Sequence, residues 1–157
     1  MLPHFDSDLA KRLRQSLGKR GIKIETQAAV KSIAKEGDGL AVAYERKGKE
    51  QSVTADNVLM AVGRRANVGT LNLADIGVEF SPHGIAVDGN MQTNVPHVYA
   101  VGDVNGLMML AHAATFQGIR ALDAIMGVDD NLRLDVIPAA VFTMPEVGMV
   151  GLTEDDC

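Results

Sequence analysis

The first periodic segment of the chain predicts an amphipathic helix over residues 6–18. Asp6 to Asp8 favours a helix start, and Gly18 or Gly21 provides a place for the helix to end. Leucines recur at every fourth position, which places them on one stripe of the helix: Leu9, Leu13 and Leu17.

Beyond this helix the pattern changes to short β-like runs. Residues 22–24 alternate as a strand does, and a helix followed by such a strand is half of a βαβ unit. From Val30 to Val53, apolar runs are separated by polar turns that contain glycine. This alternation predicts an antiparallel meander.

Two further runs are apolar almost throughout and predict strands that are buried on both faces. They cover residues 57–63 and 97–101. The first leads into Arg64, and the second leads into Gly102 and Asp103. Strands that alternate with helices in this way indicate an α/β fold.

The last part of the chain predicts a second helix over residues 109–126, with Gly127 near its end. Two short strands are predicted within residues 136–143 and 147–150. The apolar positions of the helix are Leu110, Ala114, Ile119, Leu122 and Ile125.

The net charge of the chain disfavours polyanions as binding partners. The chain carries a formal charge of -5, whereas phosphate binding needs a net or clustered positive field. The basic residues between Lys11 and Arg20 are interleaved with leucines, which favours a solvated helix face over an anion site. We therefore expect no nucleic-acid partner.

Neither a membrane segment nor a metal site is predicted. No apolar run approaches the ~20 residues that cross a bilayer, and the chain start lacks the features of a targeting signal. We expect a cytoplasmic protein. The single cysteine, Cys157, cannot form a disulfide within the chain, and the four histidines lack metal-ligand spacing.

The segment that ends in Gly102 and Asp103 has the clearest chemistry. A strand that delivers a glycine and then a carboxylate at its end can bind a sugar or sugar alcohol there, although Asp103 could equally cap the following turn. The helix start at residues 109–112 presents unpaired N–H groups, which can stabilise negative charge on a ligand. For His112 alone, a purely structural role is favoured.

These segments resemble the second FAD-binding motif of the class I pyridine nucleotide-disulfide oxidoreductases. The match covers residues 93–103 and 109–112. In that family the aspartate binds the ribityl chain of FAD, and the helix start approaches the pyrimidine edge of the flavin. The resemblance thus implies FAD contacts at Gly102, Asp103, Met109, Leu110, Ala111 and His112.

A second match concerns NAD. Residues 61–64 are similar to the strand end at which the NAD domain of the family gives way to its FAD domain. Val30 matches a strand on the adenine side of NAD. The resemblance therefore implies NAD contacts at Val30, Ala61, Gly63 and Arg64.

The resemblance extends over essentially the whole chain and implies three parts. Residues 1–66 match the distal half of a Rossmann-like NAD domain, 67–130 match the returning segment of the FAD domain, and 131–157 match the start of an α+β dimerisation domain. The implied partner is a second copy, in a homodimer.

Within the family, residues 109–112 and 150–153 are most like the dihydrolipoyl dehydrogenases. This implies oxidation of dihydrolipoamide with NAD+ through FAD and a redox disulfide, and a lipoyl-bearing protein of a 2-oxoacid dehydrogenase complex as a further partner. Ala66, Ala113 and Gln117 depart from the residues common in that branch. Two alternatives stay open: a disulfide reductase of the mercuric or glutathione reductase type, or an inert module that self-associates.

No G-x-G-x-x-G occurs in the chain, although a dinucleotide fold meets pyrophosphate at such a turn. By the resemblance, both glycine fingerprints and the redox cysteine pair would precede Met1, and the histidine–glutamate pair would follow Cys157. We therefore expect an internal piece of a longer enzyme. It would contain no catalytic residue and would be inactive and free of FAD by itself.

Overall fold

The described residues form two compact units. A computed structural model describes residues 1–129 and 131–157. None of the helices in these two ranges combines the length and apolar character that crossing a bilayer requires. The first unit comprises residues 1–62, 141–147 and 153–157, and the second comprises residues 63–140 and 148–152.

Helix α1, Ser7–Lys19, opens the first unit where the leucine spacing predicts it. Leu13 lies on the buried side and is only 2% exposed. Asp6 occupies the N-cap position, but its carboxylate makes no cap bond to the helix. It accepts a hydrogen bond from the N–H of Glu154 at 2.7 Å instead.

The predicted meander is confirmed as a three-stranded antiparallel sheet in the order β1-β2-β3. Its strands are β1 (Ala28–Glu36), β2 (Gly39–Arg46) and β3 (Lys49–Ala55). Between β2 and β3, Lys47 and Gly48 both have positive φ. Two-residue hairpin turns need this geometry to match the twist of their strands.

Two predicted strands do not form. Residues 22–24 are irregular, and most of the apolar run at 57–63 lies open to solvent, with Leu59 90% and Val62 88% exposed. A strand needs a neighbour to satisfy its backbone groups. No strand among the described residues pairs with either segment.

The core of the second unit is built from small elements. Its buried residues are Leu73, Val78, Ile85 and Ala100, with five valines packed around them. The short strands β4 (Phe80–Ser81) and β5 (Gly84–Ile85) pair as a hairpin.

The strand predicted at residues 97–101 is wrong. This segment makes one isolated bridge, from Tyr99 to Gln92, and the N–H of Ala100 donates to the carbonyl of Met91 at 3.0 Å. Of this run only Ala100 is buried. Irregular pairing can thus satisfy backbone groups of an apolar run when no full-length neighbour is available.

Helix α2, Ala111–Met126, ends at Gly127 with a φ of 68°, as predicted. Its large apolar positions are not the ones that pack most closely. The buried positions are Ala113, Gln117 and Ala121, whereas Ile119, Leu122 and Ile125 are exposed. The helix therefore packs through two alanines and a glutamine rather than through its large apolar residues.

Two short strands were predicted after α2. They form as β6 (Ala139–Val141) and β7 (Val147–Met149), each shorter than its apolar run, and they make a two-stranded sheet.

Candidate cofactor site

A tight turn presents the candidate aspartate. Residues Gly102–Asn105 form one turn of 3-10 helix directly after the extended residue Val101. Gly102 has a φ of 77° and is buried, and a Cβ added there would lie 3.2 Å from the Cβ of Ala114 in α2. Glycine is thus favoured both by the left-handed conformation and by the close approach of a helix.

Asp103 projects from this turn and stays accessible. Its side chain is 44% exposed, and its Oδ2 lies 3.6 Å from Nε of Arg64, which is itself largely exposed. An ion pair in such a setting contributes about 0–1 kcal/mol. The ion pair is therefore too weak to prevent the carboxylate from accepting a hydrogen bond from a hydroxyl group of a ligand.

The start of α2 lies next in the chain. Met109 and Leu110 are half-buried, whereas Ala111 and His112 are exposed in the first turn. No side chain caps this helix start, so its N–H groups can be satisfied by a ligand and carry the positive end of the helix dipole.

His112 has a structural partner. Its Nε2 lies 2.7 Å from the carbonyl oxygen of Pro138. Because a carbonyl only accepts, this nitrogen carries the proton. The bond orients the ring and ties the start of α2 to the segment before β6.

Sequence reasoning missed the polar groups behind the turn. Asn105 and Gln117 are both buried, at 6% and 3% exposure. Oε1 of Gln117 accepts from the N–H of Gly102 at 2.7 Å and from Nδ2 of Asn105 at 2.8 Å. The available signal was a single polar residue between two alanines at helical spacing, Ala113 and Ala121.

The β4–β5 hairpin lies directly on the turn. A Cβ at Gly106 would lie 1.8 Å from the carbonyl oxygen of His83, and one at Gly84 would lie 2.4 Å from the carbonyl oxygen of Asn105. The two backbones therefore touch without intervening side chains. Both glycines are required for this crossing.

The residues predicted for NAD are not brought together within one unit. Val30 is exposed on β1 and Ala61 is exposed in an irregular segment, both in the first unit. Gly63 and Arg64 belong to the second. Arg64 lies against Asp103, the residue predicted for FAD. The NAD assignments stay predictions.

Metal ligands were not expected, and the described part of the chain contains no group of three His, Cys, Asp or Glu side chains that could hold a metal ion. The one cysteine, Cys157, is exposed and free.

The mixed α/β structure resembles two solved structures. The crystal structure of LpdA from Mycobacterium tuberculosis superposes with a TM-score of 0.86 at 30% identity, over 98% of this chain and 33% of that chain. RclA from Escherichia coli, an HOCl-induced flavoprotein disulfide reductase, matches with a TM-score of 0.82 at 24% identity, over 99% of this chain and 35% of that chain. At that identity the second match shows the fold alone.

The family model "Pyridine nucleotide-disulphide oxidoreductase" matches residues 1–118, and the chain belongs to this family. A dihydrolipoyl dehydrogenase of Bacillus subtilis is 40% identical over 156 residues, which is 98% of this chain and 33% of that protein. That of Mycobacterium leprae is 39% identical over the same shares. The chain thus spans about a third of the length of the relatives it matches.

Proposed function

We propose that this chain supplies the flavin-binding part of an FAD-dependent dihydrolipoyl dehydrogenase, in which it acts within a protein of about the relatives' length. In the proposed reaction the two thiols of dihydrolipoamide become a disulfide, and NAD+ becomes NADH with release of one proton. The observation that carries the proposal is the accessible carboxylate of Asp103 close in sequence to the uncapped start of α2, in a chain 40% identical to such an enzyme.

The donors and acceptors of the site fit FAD. The carboxylate of Asp103 can accept hydrogen bonds from the hydroxyl groups of the ribityl chain. The N–H groups of Ala111 and His112 can stabilise negative charge that develops on the flavin edge. Bound FAD would supply the electron acceptor between the two substrates. In this proposal the residues of the chain bind and orient the cofactor.

The finer parts of the proposal concern assembly. A homodimer and a lipoyl-bearing partner of a 2-oxoacid dehydrogenase complex are proposed from the resemblance to the dihydrolipoyl dehydrogenases, as is the division at residues 66 and 130. A cytoplasmic location is proposed from the sequence pattern. No nucleophile or general base is assigned to this chain.

A chimera tests the function. This chain would replace the matched third of the Bacillus subtilis dihydrolipoyl dehydrogenase. We expect the chimera to copurify with FAD and to oxidise dihydrolipoamide with NAD+, because the chain supplies the missing flavin contacts. The absorbance of the desalted protein and the rate of NADH formation are the measurements. A folded chimera that stays free of flavin would contradict the proposal.

Asp103→Ala in this chimera is expected to weaken FAD binding about tenfold or more, because a hydrogen bond to a charged group contributes about 1.5–3 kcal/mol. FAD affinity is measured by reconstitution of the apoprotein. Asp75→Ala removes a carboxylate from another 3-10 turn of the same unit and serves as the control. Equal affinity of the Asp103→Ala chimera and its parent would remove Asp103 from the site.

A non-catalytic function is the second candidate. The exposed apolar side chains Leu59, Met60 and Val62 favour it, because contiguous exposed apolar surface marks association sites. An inert module would form a defined oligomer by light scattering and would leave the chimera colourless. The two candidates therefore differ in one absorbance measurement.

A further inference from the structure

Two buried amide side chains brace the turn that carries Asp103. Oε1 of Gln117 accepts from the N–H of Gly102 at 2.7 Å and from Nδ2 of Asn105 at 2.8 Å. Nδ2 of Asn105 also donates to the carbonyl of Ala100 at 3.1 Å, and its Oδ1 accepts from the N–H of Leu107 at 3.1 Å. We call Asn105 and Gln117 the amide bracket.

The backbone fixes the orientation of each amide in the bracket. The N–H of Gly102 can only donate, so the oxygen of Gln117 must face it. The carbonyl of Ala100 can only accept and the N–H of Leu107 can only donate, so Asn105 has one possible orientation. The network therefore has a single hydrogen-bonding arrangement.

The bracket holds the turn from both ends and from behind. Gln117 fixes its first residue, Gly102, in the left-handed region at a φ of 77°. Asn105 is its last residue and is tied to the chain before and after the turn. Asp103 lies between these two points, and its carboxylate faces Arg64 rather than the bracket. The turn thus keeps its shape without using the group that would bind the ligand.

We propose that Gln117 and Asn105 are positioning residues, which hold the Gly102–Asn105 turn in the conformation that presents Asp103 to FAD before FAD arrives. This rests on the proposed function. A turn that is ordered in advance spares the ligand the ordering of the loop, and affinity rises accordingly. The bracket residues act through the turn and not on the flavin itself.

Two substitutions of Gln117 distinguish the effect of its hydrogen-bond acceptor from the effect of its side-chain volume. Gln117→Leu keeps a similar volume but leaves the N–H of Gly102 without its partner, whereas Gln117→Glu retains the accepting oxygen. Gln15→Leu makes the same chemical change on the exposed face of α1 and is the control. Asn105→Asp removes the bridging donor as an independent variant.

The first measurement is nitrogen-15 NMR of the 157-residue chain, at concentrations where light scattering reports a single species. Hydrogen exchange of the Gly102 amide should become about tenfold faster or more in Gln117→Leu and stay slow in Gln117→Glu. In Gln117→Glu, the Gly102 amide and the Asn105 side-chain resonances should move as pH titrates the introduced carboxyl. In the unaltered chain the Asn105 side-chain resonances should stay in place over the same pH range.

The pH titration uses Gln117→Glu, so it remains informative even if Gln117→Leu does not fold. If the Gly102 and Asn105 resonances of Gln117→Glu fail to respond to pH, the bracket does not exist and the inference is overturned.

The second measurement is the FAD affinity of the chimera. Gln117→Leu and Asn105→Asp should weaken FAD about tenfold, and Gln117→Glu should restore the affinity at neutral pH. If Asp103→Ala weakens FAD while Gln117→Leu does not, the positioning role is wrong and the proposed function stands. If neither substitution changes the affinity, the assigned flavin site itself is wrong, and the positioning role falls with it.

Discussion

Gly106→Ala is expected to unfold the second unit or to lower its free energy of unfolding by more than about 4 kcal/mol. A Cβ at this position would lie 1.8 Å from the carbonyl oxygen of His83, far inside contact distance, and the residue has a φ of 71°. A left-handed conformation alone costs an L-residue about 1–2 kcal/mol. The carbonyl belongs to backbone between β4 and β5 and cannot move aside as a side chain would.

Urea unfolding monitored by circular dichroism measures the effect. Gly84→Ala should behave alike, because its Cβ would lie 2.4 Å from the carbonyl of Asn105 at a φ of 145°. Gly89→Ala is the matched control, since no atom lies within 4 Å of its added Cβ and it has no left-handed conformation. If Gly106→Ala and Gly89→Ala unfold at the same urea concentration, the close contact between the two backbones is contradicted.

Local patterns predicted the elements that stabilise themselves locally. The stripe around Leu13 and the turns of the meander both act within a few residues, and α1 and β1 to β3 form as predicted. The end of α2 at Gly127 is likewise set by one residue in the left-handed region.

Elements that depend on a distant neighbour were not predicted correctly. Apolar character at 57–63 and 97–101 favours a buried strand, but it does not determine whether another strand lies alongside. Neither segment has a ladder partner in the part of the chain that the structure describes. The exposed Leu122 of α2 likewise shows that apolar positions do not identify which helix face packs.

The residues of the candidate site also fall into those predictable from a local motif and those that depend on distant packing. Gly102 and Asp103 were recognisable because a motif places them side by side in sequence. Asn105 and Gln117 lie 12 residues apart and meet only when α2 packs on the turn. A buried polar residue needs a partner, so Gln117 on a stripe of alanines signalled a network but not which residue would complete it.

The 157-residue chain by itself is expected to be colourless after purification and desalting. The candidate site offers one carboxylate and one helix start, which suit the ribityl chain and the flavin. A diphosphate needs a glycine-rich turn at a helix N-terminus or comparable charge compensation. The chain contains no G-x-G-x-x-G, and its formal charge of -5 disfavours an anion.

The remaining contacts must offset an estimated 4–15 kcal/mol of lost translational freedom and ordering. A hydrogen bond to a charged group and a helix start supply about 1.5–3 and about 0.3–2 kcal/mol, so their sum of about 2–5 kcal/mol reaches only the low end of that cost. The measurement is a visible absorbance scan after incubation with excess FAD and desalting, with the chimera as the positive control. Stoichiometric flavin on the isolated chain would show that Asp103 and the start of α2 bind FAD without a separate diphosphate site.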